Sequence, residues 1–192
     1  MRYRLAVVGV SIGGLEALKV LLGALPKDFP LPVAVVQHRQ RNAVTALEEL
    51  LQEVSVLTVV EGEDKTALLA GYVYIAPRDY HLLIEGDHLS LSTEAPVHYA
   101  RPAIDVLFES AAEAEGERVI GIILTGDSED GAQGLAAIKR RGGLAIVQDP
   151  ESAEGRAMPE AALAAVKADH VARLEEIGPL LVRLARGTRQ GA

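Results

Sequence analysis

Ser11 stands in Gly9-Val10-Ser11-Ile12-Gly13-Gly14, at the end of an apolar run that begins at Leu5. From Gly14 the apolar positions change to helical spacing, with Leu15, Leu18, Leu22 and Leu25 at i, i+3, i+7 and i+10. The serine therefore falls on a strand-to-helix turn among small residues. A Gly-x-Ser-x-Gly turn of this kind exposes a hydroxyl for nucleophilic attack and sets it beside the unpaired N–H groups of a helix start. The same turn also reads as an incomplete Gly-x-Gly-x-x-Gly phosphate cradle, with Ser11 in place of the second glycine. A tight connection without chemistry is the third reading, and the turn alone leaves all three open.

A serine hydroxyl is a weak nucleophile and needs a base, and the base needs a group that fixes its orientation. The chain has five histidines: His38, His81, His88, His98 and His170. Only His38 directly follows a wholly buried-type strand, Val33-Ala34-Val35-Val36-Gln37. His88 reads as exposed hairpin, and His98 and His170 have no clear context. Among carboxylates, Asp127, Glu129 and Asp130 follow the apolar run Val119–Leu124, and Asp149 follows Leu144–Gln148. Sites in open parallel sheets form outside the carboxyl ends of the strands, so all four qualify by position. Asp130 reads equally well as a cap for the helix that starts after it. The spacing of Asp127, Glu129 and Asp130 does not match a calcium loop, and no metal is expected.

The groups just named would have to be positioned by strands alternating with helices. Strands are expected near Leu5–Val10, Val33–Gln37, Val56–Val60, Tyr72–Ala76, Val119–Leu124, Leu144–Gln148 and His170–Arg173. Helices are expected from Gly14, and over Ala43–Val54, Ala103–Ala114, Gly131–Arg141, Pro159–Lys167 and Ile177–Arg186. Gly86-Asp87 between His81–Glu85 and His88–Ser92 predicts a tight hairpin, and the region from Tyr72 is read as antiparallel, beside the parallel sheet. The pattern predicts an α/β fold: a doubly wound, mostly parallel sheet with helices on both faces and an antiparallel hairpin at one side. No internal repeat or linker is visible, and residues 1–192 are expected to form one domain.

Composition narrows the function. Hydrophobic residues make up 49% of the chain and aromatics only 4%, so the core is aliphatic. The absence of cysteine excludes disulfides, a thiolate nucleophile and a cysteine metal site. A net charge of −8 argues against nucleic acid or an anionic membrane as the main partner. Arg2 and Arg4 precede an apolar start, but Glu16 and Lys19 follow at once, unlike a signal peptide. No transmembrane segment is predicted, and a cytoplasmic location is expected.

An ordered set of motifs then runs through nearly the whole chain. It comprises Gly9-Val10-Ser11-Ile12-Gly13-Gly14, Val36-Gln37-His38, Gly71-Tyr72-Val73-Tyr74-Ile75-Ala76-Pro77 with His81, and Arg101-Pro102-Ala103-Ile104-Asp105-Val106-Leu107-Phe108. Leu124-Thr125-Gly126, Asp130-Gly131-Ala132, Gln148-Asp149-Pro150 and Met158-Pro159 complete it. In this set the chain resembles the catalytic domain of the CheB chemotaxis receptor methylesterase family. The resemblance implies a serine hydrolase that cleaves glutamate methyl esters of chemoreceptors and also deamidates receptor glutamines. It implies Ser11 as nucleophile, His38 as general base and Asp130 as the orienting acid, with no cofactor. The backbone N–H groups near Ile12 and Gly13 are the candidates for an oxyanion hole, and Asp127 and Arg39 for the substrate-facing rim.

The rim departs from the family's usual pattern. Arg39-Gln40 stands where Met-Pro is usual, and Gly126-Asp127-Ser128 where Gly-Met-Gly is usual. A binding or regulatory module that keeps the fold is the alternative these changes motivate. The family's receiver domain usually precedes the esterase, whereas here the Ser11 strand starts at Leu5. The expected partners are a methyl-accepting chemotaxis receptor, or a similar methylated protein, and a separate response regulator.

Overall fold

The computed structural model describes residues 2–38 and 46–187. Nine strands occur among them: β1 (Leu5–Val10), β2 (Val33–Gln37), β3 (Thr58–Glu61), β4 (Tyr72–Ile75), β5 (His81–Glu85), β6 (His88–Ser92), β7 (Val119–Ile123), β8 (Leu144–Gln148) and β9 (His170–Ala172). The helices are α1 (Gly14–Gly23), α2 (Leu47–Gln52), α3 (Ile104–Glu115), α4 (Ala132–Arg140), α5 (Ala157–Ala165) and α6 (Leu174–Arg186). Seven strands form one sheet in the order β3-β4-β2-β1-β7-β8-β9, and every neighbouring pair is parallel. β5 and β6 pair as a separate antiparallel hairpin.

Both faces of the sheet are covered, which is why its strands read as unbroken apolar runs. In β1, Ala6, Val8 and Val10 point into one core with α1, α2 and α6, while Leu5 and Val7 point into a second core with α3, α4, α5 and the hairpin. β1 has β2 on one side and β7 on the other, so the strand order reverses there. The crevice beyond the carboxyl ends of β1 and β7 is thus a topological switch point. Gly9 serves this packing. A Cβ there would lie 2.3 Å from Ile104 Cγ2, so only glycine lets the first turn of α3 rest on β1.

Several expectations need correction. The region from Tyr72 is expected from its sequence to be antiparallel, but β4 lies parallel between β3 and β2. Val73 and Ile75 fill one core and Tyr74 the other, so β4 is an inner strand. The third strand is Thr58–Glu61, later than the expected Val56–Val60, and Val56 is exposed. α5 begins at Ala157, with Pro159 in its first turn, where the missing N–H has no helical partner to lose. α6 begins at Leu174, three residues before the expected Ile177, because the Glu176 carboxylate accepts the Arg173 N–H at 3.0 Å and Pro179 is accommodated inside the helix. α2 is shorter than expected at its carboxyl end, and the Ala43–Thr45 portion of that expectation lies outside the described residues.

Candidate active site

The parallel ladder carries the three candidate residues to one edge. Val10 of β1 sits opposite Gln37 of β2, and just beyond that pair the His38 N–H donates to Val10 O at 3.0 Å. On the other side the Ser11 N–H donates to Thr125 O at 2.9 Å. Ser11 is therefore held between the ends of β2 and β7. The turn after it is fixed from the β7 side, where Thr125 Oγ1 donates to Ile12 O at 2.9 Å and accepts the Gly155 N–H at 2.8 Å. Gly126 and Gly155 pair through the Gly126 N–H to Gly155 O bond at 2.9 Å, and Met158 N–H donates to Gly126 O at 2.8 Å. A Cβ at Gly126 would lie 2.8 Å from Ser11 Cβ, so the loop after β7 packs directly against the serine.

His38 Nε2 lies 2.7 Å from Asp130 Oδ2, and the Asp130 side chain is wholly buried. The carboxylate is held by more than the imidazole. Oδ2 also accepts the Ile104 N–H at 2.7 Å, and Oδ1 accepts the Asp105 N–H at 2.9 Å. Asp130 thus caps α3, across the crevice, and not the helix that follows it in sequence. That helix, α4, is capped by Asp105, whose Oδ1 accepts the Gly131 N–H at 2.9 Å and the Gly134 N–H at 2.7 Å. Each of the two helices receives its cap from an aspartate at the start of the other, which satisfies orphan donors and sets negative charge at both positive helix ends. Their close approach needs Gly134, where a Cβ would lie 2.5 Å from Phe108 Cβ.

Asp105 has a histidine of its own. His98 Nε2 lies 3.1 Å from Asp105 Oδ2. Burial pushes the Asp105 carboxyl above the ordinary carboxylate range; the Gly134 N–H opposes this, and the neighbouring Asp130 charge adds to it. One turn further along α3, Glu109 is also pushed up, by burial first and then by the Asp105 charge. His98, Asp105 and Asp130 bring ligand-type atoms within 4.8 Å of one another and are the described residues that could hold a cation. All four carboxylate oxygens already face backbone amide or imidazole nitrogens, so the set is a hydrogen-bonded network.

The other rim candidates fall as follows. The N-cap of α1 is Gly13, at φ 72°, and it makes no side-chain cap, which leaves the first N–H groups of the helix without a side-chain acceptor. The Ile12 side chain is exposed. Asp127 is exposed and lies against Gly155, where a Cβ would be 2.8 Å from Asp127 Oδ1. Arg39 and Gln40 lie outside the described residues. A cleft beside His38 is walled by Asp79, His98, Tyr99, Arg101 and Pro102. Glu154 joins the site: its carboxylate covers Gly13, where a Cβ would lie 2.6 Å from Glu154 Oε2. Asp105 and His98 were missed. Two signals bore on Asp105: its place in the Arg101–Phe108 motif, and its being an acidic residue in the first turn after Ala103, which is where a helix start favours it.

The chain is similar to known proteins over most of its length. The family model described as CheB methylesterase matches residues 6–181. A putative protein-glutamate methylesterase/protein-glutamine glutaminase of Leptospira interrogans is 45% identical over 185 residues, covering 96% of each chain. Protein-glutamate methylesterase/protein-glutamine glutaminase 1 of Carboxydothermus hydrogenoformans is 41% identical over 166 residues, 83% of this chain and 49% of that one. The crystal structure of the Thermotoga maritima CheB methylesterase catalytic domain superposes with a TM-score of 0.91 at 34% identity, covering 96% of this chain and all of that one.

Proposed function

The chain belongs to the CheB methylesterase family, and on that premise we propose that it hydrolyses glutamate methyl esters on a methylated protein through Ser11, His38 and Asp130. The observation that carries this reading is the pairing of His38, at 2.7 Å, with the buried Asp130, at the end of the strand next to Ser11. With Nε2 turned to the carboxylate and carrying the proton, Nδ1 is the ring nitrogen left with a lone pair for the serine hydroxyl. Ser11 attacks the ester carbonyl as His38 takes its proton. His38 then protonates the departing methoxide oxygen as its bond to the carbonyl carbon breaks, methanol leaves the acyl-enzyme, and water, activated by the same imidazole, releases the glutamate and frees Ser11. Deamidation of glutamine follows the same course with ammonia as leaving group.

On this reading the amides of Ile12 and Gly13, in the turn that leads into α1, are the donors for the developing oxyanion. Asp127 and Glu154 put negative charge on the rim, which favours a neutral ester or amide entering and a carboxylate product leaving. Methyl-accepting chemotaxis receptors are the substrates this reading favours, and a separate response regulator the partner that would control it. Among the described residues no helix is long and apolar enough to cross a membrane. The reading is tested by methanol release from a peptide bearing glutamate methyl esters. Ser11→Ala is expected to lower the rate by roughly 10³-fold or more with the fold intact, and near-normal activity in that variant would overturn the assignment.

A further inference from the structure

We propose that His98 and Asp105 form a second acid–histidine pair that positions Asp130, and through it His38, for the reaction; the proposal rests on the Ser11–His38–Asp130 reading above. Three observations carry it. First, the capping is reciprocal: Asp130 receives the Ile104 and Asp105 amides while Asp105 receives those of Gly131 and Gly134. Neither carboxylate can shift without releasing donors of the helix that the other belongs to or precedes. Second, in both pairs Oδ2 is turned to an imidazole Nε2, at 2.7 Å for His38 and 3.1 Å for His98, and Oδ1 accepts only helix amides, although Asp130 Oδ2 takes the Ile104 N–H as well.

Third, the segment carrying His98 is held in an unfavourable conformation that keeps it there. His98 and Tyr99 both have positive φ, at 49° and 60°, a region that few non-glycine residues adopt. Val97 and Ala100 close this turn with reciprocal backbone bonds of 3.1 and 2.9 Å. Arg101 anchors its base by donating to Thr93 O and Glu94 O. The turn also forms a wall of the cleft beside His38. A substrate seated there would press on the segment that holds His98 against Asp105.

Charge gives the pair its task. Two buried carboxylates so close together repel one another. Helix amides lower that cost, and a histidine at each outer oxygen lowers it further. The other charged group coupled to Asp105 is Glu109 on α3, on which Arg140 of α4 also acts, while His81 of β5 is engaged elsewhere, its Nδ1 accepting the Ala103 N–H at 3.2 Å. His98 is the histidine that contacts Asp105 itself. It therefore acts as a positioning residue, not a catalytic one.

The test is steady-state hydrolysis of the methyl-ester peptide across pH by the full chain, with Asp105→Asn and His98→Gln. The Asp105→Asn side chain keeps an acceptor for the Gly131 and Gly134 amides but removes a negative charge from within 4.8 Å of Asp130, the partner of His38. His38 would then lose its proton more readily, moving the acid limb of kcat/KM to lower pH by roughly half to one unit. His98→Gln is expected to lower kcat by about 10-fold, well beyond any change in KM, as supporting partners of site residues do elsewhere. NMR titration of the His38 ring in Asp105→Asn reads the same shift without turnover. An Asp105→Asn profile and His38 titration that superimpose on the parent, or a His98→Gln variant with the parent kcat, would overturn the proposal. Ser11→Ala in the same assay separates the two levels. If it stays active, the triad reading fails and takes this one with it; if it is dead while the Asp105→Asn profile is unshifted, only the second pair fails.

Discussion

Replacing Asp130 by Asn changes one oxygen into an NH2 group, and the structure makes the consequence calculable. Oδ2 accepts from both Ile104 N and His38 Nε2, at 2.7 Å each, and Oδ1 accepts from Asp105 N at 2.9 Å. An asparagine offers one acceptor for these three donors. With its oxygen in the Oδ2 place, the NH2 faces the Asp105 N–H; with its oxygen in the Oδ1 place, the NH2 faces the Ile104 N–H and the imidazole. Either way a buried donor meets a donor. One unsatisfied buried group costs about 1–3 kcal/mol, and loss of a carboxylate at the start of α3 adds up to about 1 kcal/mol. In the second orientation the imidazole must also turn its lone pair to the asparagine, placing the proton on Nδ1 and leaving no base for Ser11. The combined expectation is a loss of roughly 1–4 kcal/mol in urea unfolding and a fall in kcat of about 10³- to 10⁴-fold. The assays are equilibrium unfolding and methyl-ester hydrolysis on the same preparation. A variant with parental stability and a kcat close to the parent's would refute the hydrogen-bond geometry assigned to Asp130.

Other perturbations probe separate parts of the site and the fold. Gly126→Ala places a methyl group 2.8 Å from Ser11 Cβ and 2.6 Å from Met158 Cε; it should cost about 1–3 kcal/mol in unfolding assays and cut kcat/KM by about 10²-fold through displacement of the serine. Gly9→Ala drives a Cβ into Ile104 and should lower both stability, by about 1–3 kcal/mol, and ester turnover, since Ile104 N–H is one of the Asp130 donors. Burial pushes Asp169 up, but the Lys139 ammonium at 2.8 Å and the Ala145 amide outweigh it and hold the carboxyl below its ordinary range. Its contribution is complete above the unfolded-chain value near pH 4 and fades as pH falls through the lower folded value. Asp169→Asn should therefore be less stable than the parent at neutral pH, and the gap in unfolding midpoint should close as the solution is made strongly acid.

How far the sequence reached depends on whether a feature is local or arises between elements. β1 and β2 were legible because strands buried on both faces read as unbroken apolar runs, and His38 stood out because it follows one of them. β4 was misplaced because a short apolar run between polar loops looks alike in an edge hairpin and in an inner strand. The Asp130 ambiguity could not be resolved along the chain. Capping is read from neighbours in sequence, and Asp130 caps a helix that starts 26 residues earlier. Asp105 was invisible as a site residue for the same reason, and His98 because its positive φ and its partner exist only once the 93–103 segment is folded. Glu154 reaches the Ser11 turn through a strap pinned by Thr125 and Gly126, a contact that no spacing encodes.

Activation of Ser11 by the His38–Asp130 pair underlies the whole functional reading. It can be measured by reacting the full chain with a fluorophosphonate and locating the adduct by mass spectrometry of the tryptic peptide Leu5–Lys19. One adduct per chain is expected, on Ser11, formed at a rate that collapses in His38→Ala and Asp130→Asn while both variants remain folded. An unlabelled Ser11, or labelling that proceeds equally fast without His38, would contradict that activation.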